Sequence, residues 1–553
     1  MIRKCSASGR DFSITDEDLA FYKQLQVDAP TLCPDERQRR RLAFRNERTL
    51  YYRKCSATGK RMLSIYSPDK PFPVYENDYW WSDKWDAGDY GRAFDFTKPF
   101  FEQFYALQSV VPHCSLAVIK PSIENSEYCN QVGFIKNCYL IFDSRRSENC
   151  MYGKTIERCY DCVDCLKVFD CEACYEVVAS QQCQYCTDLL ACNNCNDCHF
   201  SRNLLGCSYC FGCTNLRNKQ YYFYNERLSK AAWLTAVQEA LGQTTRDDLR
   251  CQFRAFERTQ YVKWMQEHNT EDCSGDYLVD CKDCHHCFDS EYLEQCKYCY
   301  DLKKDDAVSY NNYDVCHFGG NVESCYECCS IGNTTSRLRF CENVWSCNDV
   351  TYSRVCTQSH DLFGCLCLRN AEYCILNKAY RKAEYFEVRD KIIEHMRQTG
   401  EWGQFFPIQY SPYGYNETLA QEYFPITEAS AQKQGWKWRS DSEENVARPA
   451  KLYDPPRDIA QVNDDIIDQV LICAATGKPY RITRSELTFY RKRGLPLPLL
   501  CFEARHAYRM SLRNPRRLYP QQCDRTGQEI LTTYPPDAGA RVCSRVAYNE
   551  VVD

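Results

Sequence analysis

Thiols dominate what this chain could do chemically: 41 of its 553 residues are cysteine, and their spacing is regular. Cys138, Cys150, Cys162, Cys174, Cys186, Cys198 and Cys210 follow one another at intervals of twelve, and Cys159, Cys171, Cys183, Cys195 and Cys207 keep the same step. CNNCNDC, from Cys192 to Cys198, is the seam between two such units. A thiolate can hold zinc or an iron–sulfur cluster and can exchange disulfides; a neutral thiol packs as a small apolar group. CxxC pairs on adjacent turns could supply four sulfurs to one metal. Packing, metal binding and disulfides are therefore the three readings of the series. In CKDCHHC the neighbouring His285 and His286 favour metal, with Cys281, Cys284, Cys287, Cys296 and Cys299 as candidate ligands.

A strict short period requires an element that returns each residue above its copy. A helical period of 3.6 does not do this, whereas short β-arms and tight turns do, with stacked strands about 4.8 Å apart. The expected fold is mainly β: a Cys-ladder β-solenoid with a twelve-residue unit, in two blocks, with helical caps. One unit per coil gives a thin solenoid and two give a wider β-helix. The second block is less regular. GCTNLRNKQYYFYNERLSKAAW ends the first block and GCLCLRNAEYCILNKAYRKAEY the second, at a constant offset of 152.

The two ends repeat as well. KCSASGRDFSITDEDLAFYK at Lys4 matches ICAATGKPYRITRSELTFYR at Ile472 with an offset of 468. Cys5, Cys33 and Cys55 fall on Cys473, Cys501 and Cys523. These knuckle-like turns suggest small α+β zinc-ribbon or treble-clef modules at both termini, with Cys5, Cys33, Cys473 and Cys501 as candidate zinc ligands. The second cysteine of each CxxC is replaced, by Ser8, Glu36, Thr58 and Asp78 in one module and by Thr476, Ala504, Thr526 and Val546 in the other. The expected order is a zinc-ribbon-like module with a basic helix (1–78), an aromatic cap over the first coil (79–120), a first solenoid block (121–226) and a helical insertion (227–268). A second block (269–378), a helix, strap and linker (379–470) and a second module (471–553) complete it.

Charge is distributed unevenly. The net charge is −6, yet residues 1–60 carry 13 Lys/Arg against 8 Asp/Glu and residues 469–528 carry 12 against 3, which leaves −20 elsewhere. DERQRRRLAFRNER places Arg37, Arg40, Arg41, Arg45 and Arg48 on one broad helical face with Leu42 and Phe44 turned elsewhere. The second module repeats it with Arg505, Arg509, Arg513, Arg516 and Arg517. A solvated charged face explains such a run; so does a helix contacting phosphates, because Arg suits bidentate phosphate contacts.

RRRLAFRNERTLYYRKC, SPDKPFPVYENDYWWSDKWDAGDYGR, FTKPFFEQF and the NLRNKQYYFYNE and CLRNAEYCILNK terminators run in order over nearly the whole chain. In these stretches the chain resembles the cysteine-rich hypothetical zinc-ribbon proteins of candidate-phyla-radiation bacteria. The resemblance implies tandem zinc-ribbon-like end modules around a Cys-rich repeat solenoid, and it implies no activity.

No GxSxG, Gly-rich phosphate loop or HExxH is present, so no enzyme is expected. Without an apolar h-region at the start or a run of about 18 apolar residues, the expected setting is the cytoplasm, with no membrane partner. The leading expectation is a non-enzymatic scaffold whose basic ends contact RNA or DNA. A zinc, iron–sulfur or thiol-redox protein and a purely protein-binding scaffold are the alternatives.

Overall fold

The computed structural model describes residues 1–303, 307–440, 456 and 458–552. Apart from Ser440, the expected linker SDSEENVARP lies outside them. Strand outweighs helix. Two long parallel ladders run through the middle of the chain, and part of the second closes into a ring. There Tyr313–Gly319, Tyr300–Leu302, Glu267–Glu291 and Leu293–Lys297 pair in succession, and Lys297 also pairs with Tyr313.

In the first ladder each strand pairs with the one twelve residues on: Ile156 with Val168, Val168 with Ser180, Leu189 with Ser201. A shorter period lies beneath the twelve. Every third residue is left-handed, for example Asp161 (φ 52°), Asp164 (55°), Lys167 (55°) and Asp170 (54°). Each left-handed residue turns the chain through a corner, so one rung of twelve residues has sides of three residues. That conformation costs roughly 1 kcal/mol or more per non-glycine residue. Backbone bonding between rungs offsets it: Asp164 N–H donates to Met151 O of the rung before at 3.0 Å, and Val163 N–H to Cys174 O of the rung after at 3.0 Å.

The residues three apart, between the corners, point inward. Cys159, Cys162, Cys165 and Val168 form one inner ring, and Cys195, Cys198, Ser201 and Leu204 another; all are buried. Each of these rings holds one branched aliphatic and three small residues, which fills a narrow interior without overpacking. Gly153 lies in the ring with Ile156, and a Cβ there would meet Ile156 Cδ1 at 2.0 Å. CxxC is thus the inward periodicity of a three-residue side, and CNNCNDC is three consecutive sides.

Polarity also explains the choice of cysteine and serine. The Cys162 thiol lies 3.4 Å from Tyr160 O and 3.5 Å from Cys171 O. At Ser180 the hydroxyl donates to Val178 O at 2.8 Å and accepts the Cys192 N–H of the next rung at 3.0 Å. A small side chain that can both donate and accept satisfies backbone groups an alkyl chain would leave bare.

The second ladder keeps the principle with slips. Its partners are twelve apart at Cys284–Cys296, sixteen at Leu293–Ser309, thirteen at Cys316–Cys329 and twelve again at Leu362–Cys374. The aromatic segment 79–120 was expected on the first coil. Its rings instead pack on the last rungs of the second ladder: Phe100 lies 5.2 Å from Tyr352 and 5.5 Å from Phe363. The rest of the segment enters the first ladder where Ile119 N–H donates to Val132 O.

Both termini show the same order of elements: a hairpin, a helix with a Thr–acid capping box (Thr15–Asp18, Thr483–Glu486), a helix begun by a cysteine, and a second hairpin. They are exchanged in space. The N-terminal module buries Phe21 and Tyr22 against Tyr313 and Tyr326 of the second ladder. The C-terminal module packs Phe489, Tyr490 and the half-buried Phe502 against Tyr175 and Tyr152 of the first.

Candidate functional site

The arginines expected to face phosphate are, with one exception, engaged inside the molecule. The helix Pro34–Leu42 ends before Arg45 and Arg48, and Leu42 and Phe44 are as buried as the arginines. Arg37 and Arg41 grip Asp314 at 2.8 and 3.1 Å, and Arg40 reaches Glu327 at 2.6 Å. Arg45 spans Glu47 at 2.6 Å and Asp143 at 3.0 Å, and Arg48 meets Glu422 at 3.1 Å. The second module does likewise. Arg505 and Arg509 each hold Asp164 at 2.7 Å, Arg513 pairs with Asp289, and Arg516 pairs with Asp289 at 2.9 Å and with Asp301. Only Arg517 of the ten is exposed, 5.4 Å from the Tyr519 ring. The reason is the ladder geometry: Asp143, Asp164, Asp289, Asp301, Asp314 and Glu327 all occupy left-handed corners, which aim their carboxylates outward at the modules.

Sequence reasoning missed these acids because an Asp at a corner reads as an ordinary turn residue. A signal was present. Phe142-Asp143-Ser144 recurs as Phe288-Asp289-Ser290, and Cys174-Tyr175-Glu176 as Cys325-Tyr326-Glu327. Together with the module repeat, these pairs mark two copies of one clamp, one on each ladder. The helix arginines of each module bind one ladder, and the arginine four to eight residues further on crosses to the other.

The candidate metal ligands fall into two environments. Cys281, Cys284, Cys287, Cys296 and Cys299 point into the second ladder, and their thiols meet carbonyl oxygens, as Cys284 does Lys282 O at 3.2 Å and Cys299 does Asn312 O at 3.3 Å. His285 and His286 do not join them: His285 faces Asp283 at 3.3 Å, and His286 stacks on Tyr298. Cys5 and Cys33 do come together, as do Cys473 and Cys501. The Cys33 N–H donates to Cys5 Sγ at 3.2 Å, and the Ser8 and Thr476 hydroxyls lie 3.8 Å from Cys33 and Cys501 Sγ. Burial would raise the Cys5 thiol, but hydrogen bonds from Ser8 and from the backbone of Cys33, Ser8 and Ala7 bring it down to about 7. Two thiols and a hydroxyl do not fit the closed four-ligand zinc site that the resemblance implies.

No family model and no curated protein matches the chain. Between the ladders lies a cleft, a cavity of about 470 Å³ whose lining includes Trp81, His113, Trp345, Arg45, Asp143 and Asp301. Beside it, Glu47, Asp143 and His317 each bring one potential ligand atom within 4.8 Å of the other two. Among the described residues one other such trio exists, Asp272, Asp283 and His285, and neither contains a sulfur.

Electrostatics are pronounced here. Burial would raise Glu47, but Lys154 at 2.9 Å and Arg45 outweigh it and hold its carboxyl at about 2. Burial drives the His317 imidazole well below its usual value, with Arg45 adding to the effect, so it is neutral. His317 is 2% exposed, and among the described residues neither of its ring nitrogens has a hydrogen-bond partner; a carboxylate oxygen, Asp301 Oδ2, lies 3.7 Å from Nδ1.

Proposed function

We propose that the protein is a non-enzymatic scaffold that acts through protein partners: two rigid Cys-ladder β-solenoid blocks, capped by helices and clamped side by side by zinc-ribbon-like modules that no longer need zinc. The carrying observation is the inward engagement of Arg37, Arg40, Arg41, Arg45, Arg505, Arg509, Arg513 and Arg516 with ladder carboxylates. These groups are consumed in clamping the blocks, and a guanidinium already shared between buried carboxylates has little to offer a phosphate. With its basic ends neutralised in this way, the chain's net charge of −6 disfavours polyanions rather than collecting them. The interior thiols serve as packing and as backbone hydrogen-bonding groups.

The discriminating experiment is a titration of labelled single-stranded RNA and duplex DNA into the full chain at low and moderate salt. Absence of binding at micromolar protein supports the protein-binding scaffold. Binding whose log K falls linearly with log salt, and which weakens on Arg517→Glu, would return the reading to nucleic acid.

A further inference from the structure

We propose that Glu47, Asp143 and His317 form a binding site for a divalent first-row cation of the Mn²⁺ kind, beside the cleft between the two ladders. Three ligand atoms mutually within 4.8 Å, from two carboxylates and one imidazole, are a spacing that a single ion can bridge. A second observation is independent of that distance. His317 is buried, and among the described residues neither ring nitrogen has a hydrogen-bond partner. Buried polar groups are normally satisfied, and one that is not points to a bound ion or water. Ligating histidines commonly present their second nitrogen to a carboxylate, and Asp301 stands 3.7 Å from Nδ1.

Comparison within the chain strengthens the assignment. The same place in the other copy is built from Asp289 and Lys167, whose ammonium lies 3.6 Å from Asp289 and also pairs with Asp301. Lys167 follows the clamped Asp164 by three residues, as His317 follows the clamped Asp314. Where that copy has the Lys167 ammonium, this one has an imidazole, and it adds Glu47 where the other has Pro515. Arg45, Lys154 and the Thr155 hydroxyl already engage these carboxylates, but each carboxylate has about four lone-pair sites, which leaves positions for a further bond. The donor set sets the ion class: two oxygens and one imidazole suit Mn²⁺ or Fe²⁺, whereas soft ions would be drawn to the thiols.

The test uses the full chain, stripped with chelator and titrated with Mn²⁺ while free ion is followed by electron paramagnetic resonance. The expected result is one bound Mn²⁺ per chain with nitrogen coupling from an imidazole in the pulsed spectrum. Asp143→Asn and His317→Lys should each weaken it at least tenfold, and His285→Ala, at the exposed trio, should leave it unchanged. His317→Lys copies the residue the other half tolerates, and the nitrogen coupling of the wild type needs no variant to fold. Failure of the wild type to bind, bound Mn²⁺ without nitrogen coupling, or undiminished binding by His317→Lys would each overturn the proposal; in the first case the partner of His317 is water.

Discussion

Asp164 and Asp314 do the same work in different ladders: each sits at a left-handed corner and takes two arginines, one helical turn apart, from the module at the opposite end of the sequence. Arg37 and Asp314 are 277 residues apart, and Arg505 and Asp164 are 341. The two pairs of grips cross, so the helix arginines of each module hold the ladder farther from it in sequence. This exchange ties the first and last parts of the chain into one body.

The first expectation concerns that grip. Asp164 is fully buried with Arg505 and Arg509, and removing one partner of a buried pair strands the others, at about 3–5 kcal/mol. Asp170 pairs with Arg158 at the surface, where such pairs are worth about 0–1 kcal/mol. Asp164→Asn should lower the denaturant midpoint strongly and expose the C-terminal module to limited proteolysis, while Asp170→Asn does neither. Equal, small effects would mean that the modules are held by their apolar contacts.

Thiol reactivity separates packing from chemistry. Cys251 is exposed, Cys114 and Cys273 are partly so, and every other thiol is buried. Maleimide labelling of the native protein, followed by peptide mass spectrometry, should modify Cys251 first and the ladder cysteines only after denaturation. Rapid native labelling of Cys162, Cys186 or Cys198 would show an open interior and contradict a packed one.

How much of this was legible in the sequence can be judged residue by residue. The twelve-residue step showed in the cysteines because an identical inner ring demands small residues at fixed places. The triplet beneath it was equally visible in Cys159, Cys162 and Cys165, but a CxxC looks the same whether it is a metal knuckle or a three-residue side. The arginine runs were visible and their direction was not. A basic helix facing solvent and one facing buried acids differ only in what lies hundreds of residues away. His317 gave no signal, since its meaning depends on Glu47 from the first module and Asp143 from the first ladder meeting it beside the cleft.

Acidity offers a third measurement. Burial, reinforced by Asp164, raises Glu176 to about 7 against the pull of Arg509. A carboxyl raised above its unfolded value near 4.5 keeps its proton longer in the folded state. Between about pH 4.5 and 7 the folded state therefore binds more protons, and stability falls as pH rises through that window. Glu176→Gln should remove this slope in denaturation curves taken across the window and leave the variant relatively more stable above pH 7. An unchanged slope would mean that Glu176 is ionised throughout.

The narrow interior sets the last expectation. Cys198 shares its ring with Cys195, Ser201 and Leu204, and its thiol lies 3.4 Å from Asn196 O and 3.6 Å from Cys207 O. Serine already fills equivalent places at Ser180 and Ser201, where the hydroxyl donates to the carbonyl two residues earlier at 2.8 Å. Cys198→Ser should therefore change stability by less than about 1 kcal/mol, because the shorter O–H makes the same bond and can accept the next inward N–H. Cys198→Leu would place a second branched side chain in a ring that holds one, and overpacking costs about 1–3 kcal/mol. The comparison is informative because hydrophobicity alone predicts the reverse order. If leucine is tolerated and serine is not, the ladder is held by apolar burial; if serine is tolerated, it is held by small size and backbone hydrogen bonding, and no thiol-specific chemistry is needed to account for that position.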